Sequence, residues 1–229
     1  MLAHSPPLPL TIDYRSDYRI TGEDEDVLLL ILEQRHRVRH LRFGLPVQNL
    51  RKLVMAIDGE FPILEYLILG SPNIDGAALM LPETLQAPNL RYFLLSGFAC
   101  PIRSRLHPTA TGLVSLFLFT NHRSAYFQPN VLLQWVSFIP QLECLAIAFK
   151  IDVFIRDVET QPTLTPITTH ITLPNLHFFG FQGFSSYLVA VICSITTPRL
   201  ENLKIQLLDE HEVSIPRLRE FMKTTENLR

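Results

Sequence analysis

A short pattern of apolar residues recurs along the chain at a nearly constant interval. It reads proline, any residue, leucine, two further residues and then leucine or phenylalanine, and it begins at Pro62, Pro88, Pro140, Pro174, Pro198 and Pro216. Two further copies lack the proline and begin at Val38 and Leu113. Within a copy, apolar residues alternate with others, as at Leu67 and Leu69. Such alternation predicts a short strand with one buried face.

The first apolar position of each copy predicts where the strands lie. These positions are Val38, Leu64, Leu90, Leu113, Leu142, Leu176, Leu200 and, by extrapolation, Leu228. Apart from one longer unit, their spacing fits the period of about 20 to 29 residues that is typical of leucine-rich repeats. The sequence therefore predicts an α/β fold over residues 1–229. We expect a single leucine-rich-repeat solenoid of about seven repeats, incomplete at both ends, with a parallel β-sheet on one face and helices or loops on the other.

Segments between the strands show the apolar spacing of amphipathic helices. Two such stripes consist of Leu132, Trp135, Val136 and Ile139 and of Leu188, Val191, Ile192 and Ile195. The first helix is predicted to begin at the acidic run Glu23–Asp26 and to end at the basic run Arg35–Arg37, because these charges match the helix dipole. Leu218 and Phe221 match the search pattern but follow Leu200 too closely for a new strand, so we assign them to a helix.

Two segments interrupt the repeat. Cys100–Pro108 has no helical pattern and is predicted to cross the helical side as a loop. The longest unit contains Ile155–Leu173, which is rich in threonine and proline and is predicted to be a projecting hairpin or a mobile loop. Two interpretations of this second segment stay open, a contact with a partner and a tolerated insertion.

The residues between the buried positions of each strand should face the open side of the sheet. They include four aromatic residues, Tyr66, Tyr92, Phe117 and Phe178, and three basic residues, Arg39, Arg42 and Arg91. An exposed aromatic row of this kind marks an interaction site. The alternative is a local shift of register, or a covering loop, that makes the rings ordinary core. The arginines either pair with an acidic partner or form a solvated edge.

Composition and charge narrow the classes of partner. The chain has 20 Lys and Arg against 22 Asp and Glu, and a net charge of -2 provides no field that would attract nucleic acid or an anionic membrane. The longest apolar runs are far shorter than the roughly 20 residues that span a bilayer. Cys100, Cys144 and Cys193 are widely spaced and odd in number, which favours neither a disulfide framework nor a zinc site. We expect a protein partner, no nucleic acid, no membrane, and a cytoplasmic or nuclear location.

Catalytic and metal-binding motifs are not found in the sequence. The chain has no phosphate-binding G-x-x-x-x-G-K-[ST] loop and no G-x-S-x-G nucleophile turn. His36 and His40 have a spacing that could bind zinc on a helix, but they straddle a predicted helix-to-strand junction and lie among arginines. His211 stands among acidic residues as a solvated turn, and Cys144 is a lone thiol without a histidine partner. We expect no enzyme activity, no metal and no cofactor.

The run Ile167–Arg229, which includes ITLPNLHFFGFQGF and TTPRLENLKIQLL, resembles the leucine-rich-repeat region of the F-box proteins expanded in mushroom-forming fungi. The opening PPLPLTIDY is similar to the strand that follows the F-box in that family. This resemblance implies the substrate-recognition part of an SCF-type ubiquitin ligase. Nothing before Leu8 could form an F-box, so we expect the Skp adaptor to bind only through a segment missing here. The alternative is a stand-alone repeat scaffold unrelated to ubiquitination.

Overall fold

The strands of the main sheet are short and begin at almost the same level. The structure is a computed structural model, and it describes residues 8–18, 20–71, 78–99, 101, 104–120, 125–150, 170–208 and 215–223. Eight strands form the main sheet. They are β1 (Leu10–Arg15), β2 (Val38–Gly44), β3 (Tyr66–Gly70), β4 (Tyr92–Ser96), β5 (Ser115–Thr120), β6 (Cys144–Phe149), β7 (Phe178–Gly183) and β8 (Asn202–Leu207).

Each strand pairs in parallel with the next strand of this sheet along the chain. A chain that adds parallel strands in this way must return on the far side of the sheet after every strand. The returns include six helices within the described residues. They are α1 (Gly22–Leu32), α2 (Val47–Ala56), α3 (Leu106–Thr109), α4 (Pro129–Val136), α5 (Ser185–Ile192) and α6 (Ile215–Lys223). The α/β class and the parallel sheet are therefore as the sequence predicts.

The predicted strand positions are confirmed by register and burial. Tyr66 pairs with Tyr92, which places Leu64 beside Leu90 two residues earlier, and the same offset holds along the following strands. The first apolar positions are fully buried at Val38, Leu64, Leu90, Leu113, Leu142, Leu176 and Leu200. Strand β1 adds a unit before Val38, whereas Leu228 lies outside the described residues. Burial of each leucine contributes roughly 1.5 to 3 kcal/mol, which explains why the pattern is repeated.

Five of the six recurring prolines occupy a β-turn just before a strand, and the sixth, Pro216, lies in α6. The amide of Leu64 donates to the carbonyl of Phe61 at 3.3 Å, and the amide of Leu90 donates to that of Ala87 at 3.1 Å. The same bond closes the turns before Leu113, Leu142, Leu176 and Leu200. Proline stands second in most of these turns, where its fixed φ suits the turn and no amide donor is needed. The proline and the leucine of the pattern are thus two parts of one turn.

The predicted helical stripes pack against the inner face of the sheet. Leu132, Trp135 and Val136 are buried in α4, and Leu188, Val191 and Ile192 are buried in α5. Ile139 and Ile195 are also buried but lie beyond the helix ends. Ile195 belongs to a short strand, Ile195–Thr196, that pairs with Ile171–Thr172 on the helical side of the fold. The predicted helix around Leu218 is confirmed as α6, in which Phe221 is buried.

The first helix begins as predicted but ends earlier. Thr21 caps it by accepting a hydrogen bond from the amide of Asp24 at 3.1 Å, and acidic residues occupy the first turn. The helix ends at Leu32, and Arg35–Arg37 form a separate 3-10 turn. The prediction that the basic run ends the helix is therefore wrong. The chain has to leave the helical direction there, because the next residue, Val38, is fully buried as the first residue of β2.

The prediction of a loop without helix for Cys100–Pro108 is also wrong in its last part. Leu106–Thr109 form a single helical turn, closed by a 2.9 Å bond from the amide of Ala110 to the carbonyl of Leu106. Pro108 is accepted because the first-turn amide of a helix needs no partner within it. Most of the predicted insertion Ile155–Leu173 lies outside the described residues, as does His211.

Candidate interaction surface on the open face of the sheet

The strand register assigns every second side chain to the open face. One outward row runs through Thr11, His40, Tyr66, Tyr92, Ser115, Cys144, Phe178 and Asn202. A second runs through Asp13, Arg42, Ile68, Leu94, Phe117, Ala146, Gly180 and Lys204. The row between them is the inner row, in which Leu67, Phe93 and Leu116 are fully buried. The four aromatic candidates and Arg42 therefore lie on the face where the sequence places them, whereas Arg39 and Arg91 lie at its edge, where the strands begin.

An apolar patch covers the centre of this face. We define it as the outward side chains of three adjacent strands, Tyr66, Ile68, Tyr92, Leu94 and Phe117. The rings of Tyr66 and Tyr92 are stacked with centroids 5.7 Å apart, and those of Tyr92 and Phe117 are 5.2 Å apart. Tyr66 is 41% exposed. The pairing of β3, β4 and β5 shows no shift of register, so these rings do not belong to the core behind the sheet.

Phe178 stands apart from the patch, so the expected row of four aromatic residues is divided. Ser115 and Cys144 occupy the two intervening positions of the row. The ring of Phe178 lies across Gly180, where an added Cβ would come within 3.1 Å of its Cε1 atom. The ring thus covers its own strand and does not extend the stack of Tyr66 and Tyr92.

Between Phe117 and Phe178 the face is lowered into a trough lined by small side chains. The trough consists of Ser115, Cys144, Ala146 and Ala148. Aromatic rings on β5 and β7 bound it on either side. Because β6 lies between these two strands, their backbones are about 10 Å apart. The small residues alternate with buried ones in the sequence CLAIAF of β6, so the sequence does predict that they face outward. They match no catalytic motif and are not aromatic, so the sequence alone does not mark them as a binding site.

Cys144 lies on the floor of the trough and is a poor nucleophile there. Partial burial raises the pKa of its thiol, and the neighbouring charge of Glu143 acts in the same direction. A hydrogen bond with the Ser115 side chain opposes this rise but does not cancel it. The thiol is therefore protonated at neutral pH, and its contribution to the surface is that of a small apolar group.

The three predicted arginines differ in what surrounds them. Arg39 forms an ion pair with Glu65, with 2.9 Å between Nε and Oε2. Arg42 is half-buried on the open face between Asp13 and Ile68, and no described carboxylate lies within ion-pair distance of it. Arg91 is exposed next to the patch and likewise has no ion-pair partner in the described part of the chain. Of these three arginines, only Arg39 therefore has its charge matched by a carboxylate of the described residues.

The edge of the open face where the strands begin is polarised in charge. Arg39 is the second residue of β2, and Glu65 and Arg91 directly precede β3 and β4, whereas Glu143 and Glu201 directly precede β6 and β8. Glu201 lies 3.4 Å from the Nδ1 atom of His177 in an exposed pair. One half of the face is thus basic, the other half is mainly acidic, and the apolar patch lies on the basic half.

An open cleft of about 380 Å³ adjoins the patch at the ends of β1 to β4. Its walls include Arg15, Asp17, Ser71 and Ser96, and Gly44 and Gly70 leave room at its base. Arg15 is paired with Asp13, with 3.1 Å between Nε and Oδ1. The described residues contain no group of three or more His, Cys, Asp or Glu side chains able to share a metal ion. What this side of the molecule offers is aromatic contact, hydroxyl groups and guanidinium charge.

None of the helices in the described segments combines the length and apolar character needed to span a bilayer. Comparison of the chain with protein-family models, with curated proteins and with solved structures gives no match. The chemistry of the open face is therefore the basis for assigning a function.

Proposed function

We propose that this chain is a non-enzymatic recognition module that binds another protein on the open face of its sheet. The stack of Tyr66, Tyr92 and Phe117 is the observation that carries the proposal. Large rings side by side on a solvent-facing sheet are unusual unless something covers them, and aromatic residues supply much of the energy at protein interfaces. The strands beneath hold the rings in place, so little order has to be gained on binding.

We further propose that the architecture is a leucine-rich-repeat solenoid. The repeated turn and strand, the fully buried leucine at each start, and the parallel pairing of successive strands support this assignment. In such an array each unit contacts mainly its neighbours, and the open face of the sheet is the surface available for a partner.

The biological setting that we propose is the substrate-recognition part of an F-box protein in an SCF-type ubiquitin ligase, in the cytoplasm or nucleus. Its support is the resemblance of Ile167–Arg229 to the fungal family. The bound protein would be the substrate, and a Skp adaptor would join only through an F-box outside this chain. A stand-alone scaffold is the second candidate, and it is favoured by the same patch, because the surface is suited to binding whether or not ubiquitin follows.

The test compares a patch variant with a matched control. The double variant Y92S/F117S removes two patch rings, whereas F138S removes a ring that is 49% exposed after α4. Each protein is immobilised, exposed to extract of the source organism, and the retained proteins are identified by mass spectrometry. We expect one set of proteins to be retained by the wild type and F138S and lost by Y92S/F117S.

Two outcomes would contradict recognition by the open face. One is an identical set of retained proteins for all three chains, and the other is cooperative unfolding of Y92S/F117S at a much lower temperature, which would make the rings part of the core. The ligase setting is tested separately with the full product of the gene. If no Skp adaptor copurifies, and a proteasome inhibitor leaves the amount of the partner unchanged, the stand-alone scaffold is the correct choice.

A further inference from the structure

We infer that the open face binds an acidic segment of another protein, in which a carboxylate pairs with Arg42 while a neighbouring apolar side chain packs on Tyr66 and Tyr92. The inference rests on the proposed recognition function and specifies the chemistry of its partner. It is drawn from the charges that remain unmatched around the apolar patch.

The two carboxylates next to the arginines on the basic half of the face are already engaged. Asp13 is next to Arg42 in the strand register, but its carboxylate pairs with Arg15 at 3.1 Å. Glu65 is committed to Arg39 at 2.9 Å. Within the described residues, Arg42 and Arg91 are thus left as two cations beside an apolar patch with no carboxylate to balance them.

The position of Arg42 makes its charge important for any ligand of the patch. It is half-buried beside Ile68, and its positive charge reaches Tyr92, where it opposes the rise in pKa that burial of the phenol causes. A ligand that covers Tyr66 and Tyr92 removes further water from this guanidinium. An apolar or basic ligand would leave a desolvated charge without a partner, which is strongly unfavourable. A carboxylate supplies two acceptors in the geometry that a guanidinium prefers.

Arg91 adds a second cation on the other side of Tyr66. It precedes β4 at the edge of the face and is exposed, so it strengthens the attraction of an acidic segment without requiring burial. Charges of this exposed kind mainly accelerate encounter and select the partner, whereas a half-buried charge governs how long the complex lasts. We therefore assign the anchoring contact to Arg42 and the attracting field to both arginines.

A second copy of this chain would match the charge of the basic half less well than an acidic segment of another protein does. The carboxylates at the edge of its own acidic half are Glu143 and Glu201, and Glu201 already lies against His177 at 3.4 Å. A face-to-face dimer would thus offer mainly Glu143 to two unmatched arginines. An acidic segment from another protein can supply a carboxylate to each of the two arginines.

The experiment uses a phage-displayed library of random 12-residue peptides selected against the whole chain. The most enriched peptides are then synthesised, labelled and titrated by fluorescence anisotropy against the wild type, R42Q, Y66S and R51Q. Arg51 is an exposed arginine on α2, on the helical side, and R51Q makes the same charge change away from the face. The peptide is also made with its acidic residue replaced by the corresponding amide.

We expect enriched peptides to combine Asp or Glu with an aromatic or aliphatic residue. R42Q should weaken their binding by about tenfold or more, which corresponds to about 1.4 kcal/mol or more, while R51Q leaves it unchanged. Replacing the peptide carboxylate should weaken binding to the wild type by a similar factor. It should weaken binding to R42Q little further, because the two changes remove the same contact.

The outcomes separate the inference from the proposed function. Peptides that lose binding with Y66S but are neutral or basic and ignore R42Q would overturn the acidic partner and leave recognition intact. If no enriched peptide is sensitive to Y66S, or none is enriched, both proposals fail. Sedimentation that shows a dimer dissociated by R42Q would identify a second copy as the occupant and would also overturn the inference.

Discussion

The side-chain amide of Asn175 donates a hydrogen bond to the carbonyl oxygen of Pro140, in the turn of the preceding unit, at 3.1 Å. Asn89 makes the same contact with Pro62 at 2.6 Å. Both asparagines directly follow the proline of their own turn. In these two units the pattern Pro-Asn-Leu therefore links the turn to the one before it, in addition to the backbone bonds between the strands.

Replacing either asparagine by alanine should destabilise the fold. We expect N89A and N175A each to lower the free energy of unfolding by about 1 kcal/mol, because the hydrogen bond to the preceding turn is lost. N175A also removes the acceptor of an exposed 3.3 Å bond from Arg199, so its loss should be at least as large as that of N89A. Gln141 occupies the same place in its turn, after Pro140, and is exposed, so Q141A is the matched control. Urea denaturation measures all three. An equal loss in Q141A would show that the position matters and the bond between turns does not.

Shortening a side chain of the inner row should lower the free energy of unfolding much more than shortening its outward neighbour does. Leu67 is fully buried in the middle of β3, and L67A should lower the free energy of unfolding by about 2 to 5 kcal/mol. Ile68 is the next residue and faces outward, so I68A should cost less. The same denaturation experiment checks both. Similar losses for the two variants would contradict the assignment of inner and open faces.

Tyr187 is enclosed by aromatic rings, and its hydroxyl has no hydrogen-bond partner among the described residues. Its ring lies 4.9 Å from that of Phe149 and 5.8 Å from that of Phe181. An unpaired buried hydroxyl is unfavourable, so Y187F should raise the free energy of unfolding by about 1 kcal/mol. Thermal unfolding followed by circular dichroism tests this, with Y18F as the control, since Tyr18 is 82% exposed. A decrease in stability for Y187F would mean that the hydroxyl has a partner in the folded protein.

Two tyrosines of the aromatic cluster, Tyr126 and Tyr187, should make the protein sensitive to alkali. Burial raises the pKa of Tyr126 from 10.0 to about 12, and burial raises that of Tyr187 still more strongly. Above pH 10 the unfolded chain loses these protons before the folded chain does, so the free energy of unfolding falls as pH rises. We expect constant stability from neutral pH to about pH 9 and a steep loss between about pH 10 and pH 12. Urea midpoints for the wild type and Y126F/Y187F test this, and an equally steep loss in the double variant would contradict it.

Strand positions and the open face could be predicted because their determinants are local. A proline-containing turn followed by alternating leucines fixes where Leu64 and Leu67 are buried, and hence that Tyr66 points the other way. Features that depend on neighbouring units could not be predicted in this way. The 3-10 turn at Arg35–Arg37 follows from the need to bring Val38 into the sheet, and the isolation of Phe178 depends on small residues of two other strands.

Two glycines on one strand should respond in opposite ways to the same substitution. At Gly180 an added Cβ would meet the Phe178 ring at 3.1 Å, and this ring is only half-buried and lies on the open face of the sheet. At Gly183 it would lie 2.7 Å from Phe149 and 2.8 Å from Phe181, whose rings are buried and fixed. G180A should therefore be neutral or stabilising by up to about 1 kcal/mol, because alanine restricts the unfolded chain.

G183A should instead lower the free energy of unfolding by about 1 to 3 kcal/mol, because the added methyl group overpacks the aromatic cluster. Chemical denaturation of the two variants side by side gives the difference directly. If G180A is as destabilising as G183A, then Phe178 is held as firmly as the buried rings, and the trough beside it is a rigid part of the sheet. If neither variant is destabilised, the aromatic cluster is packed loosely enough to admit the methyl group, contrary to the spacing of Phe149 and Phe181.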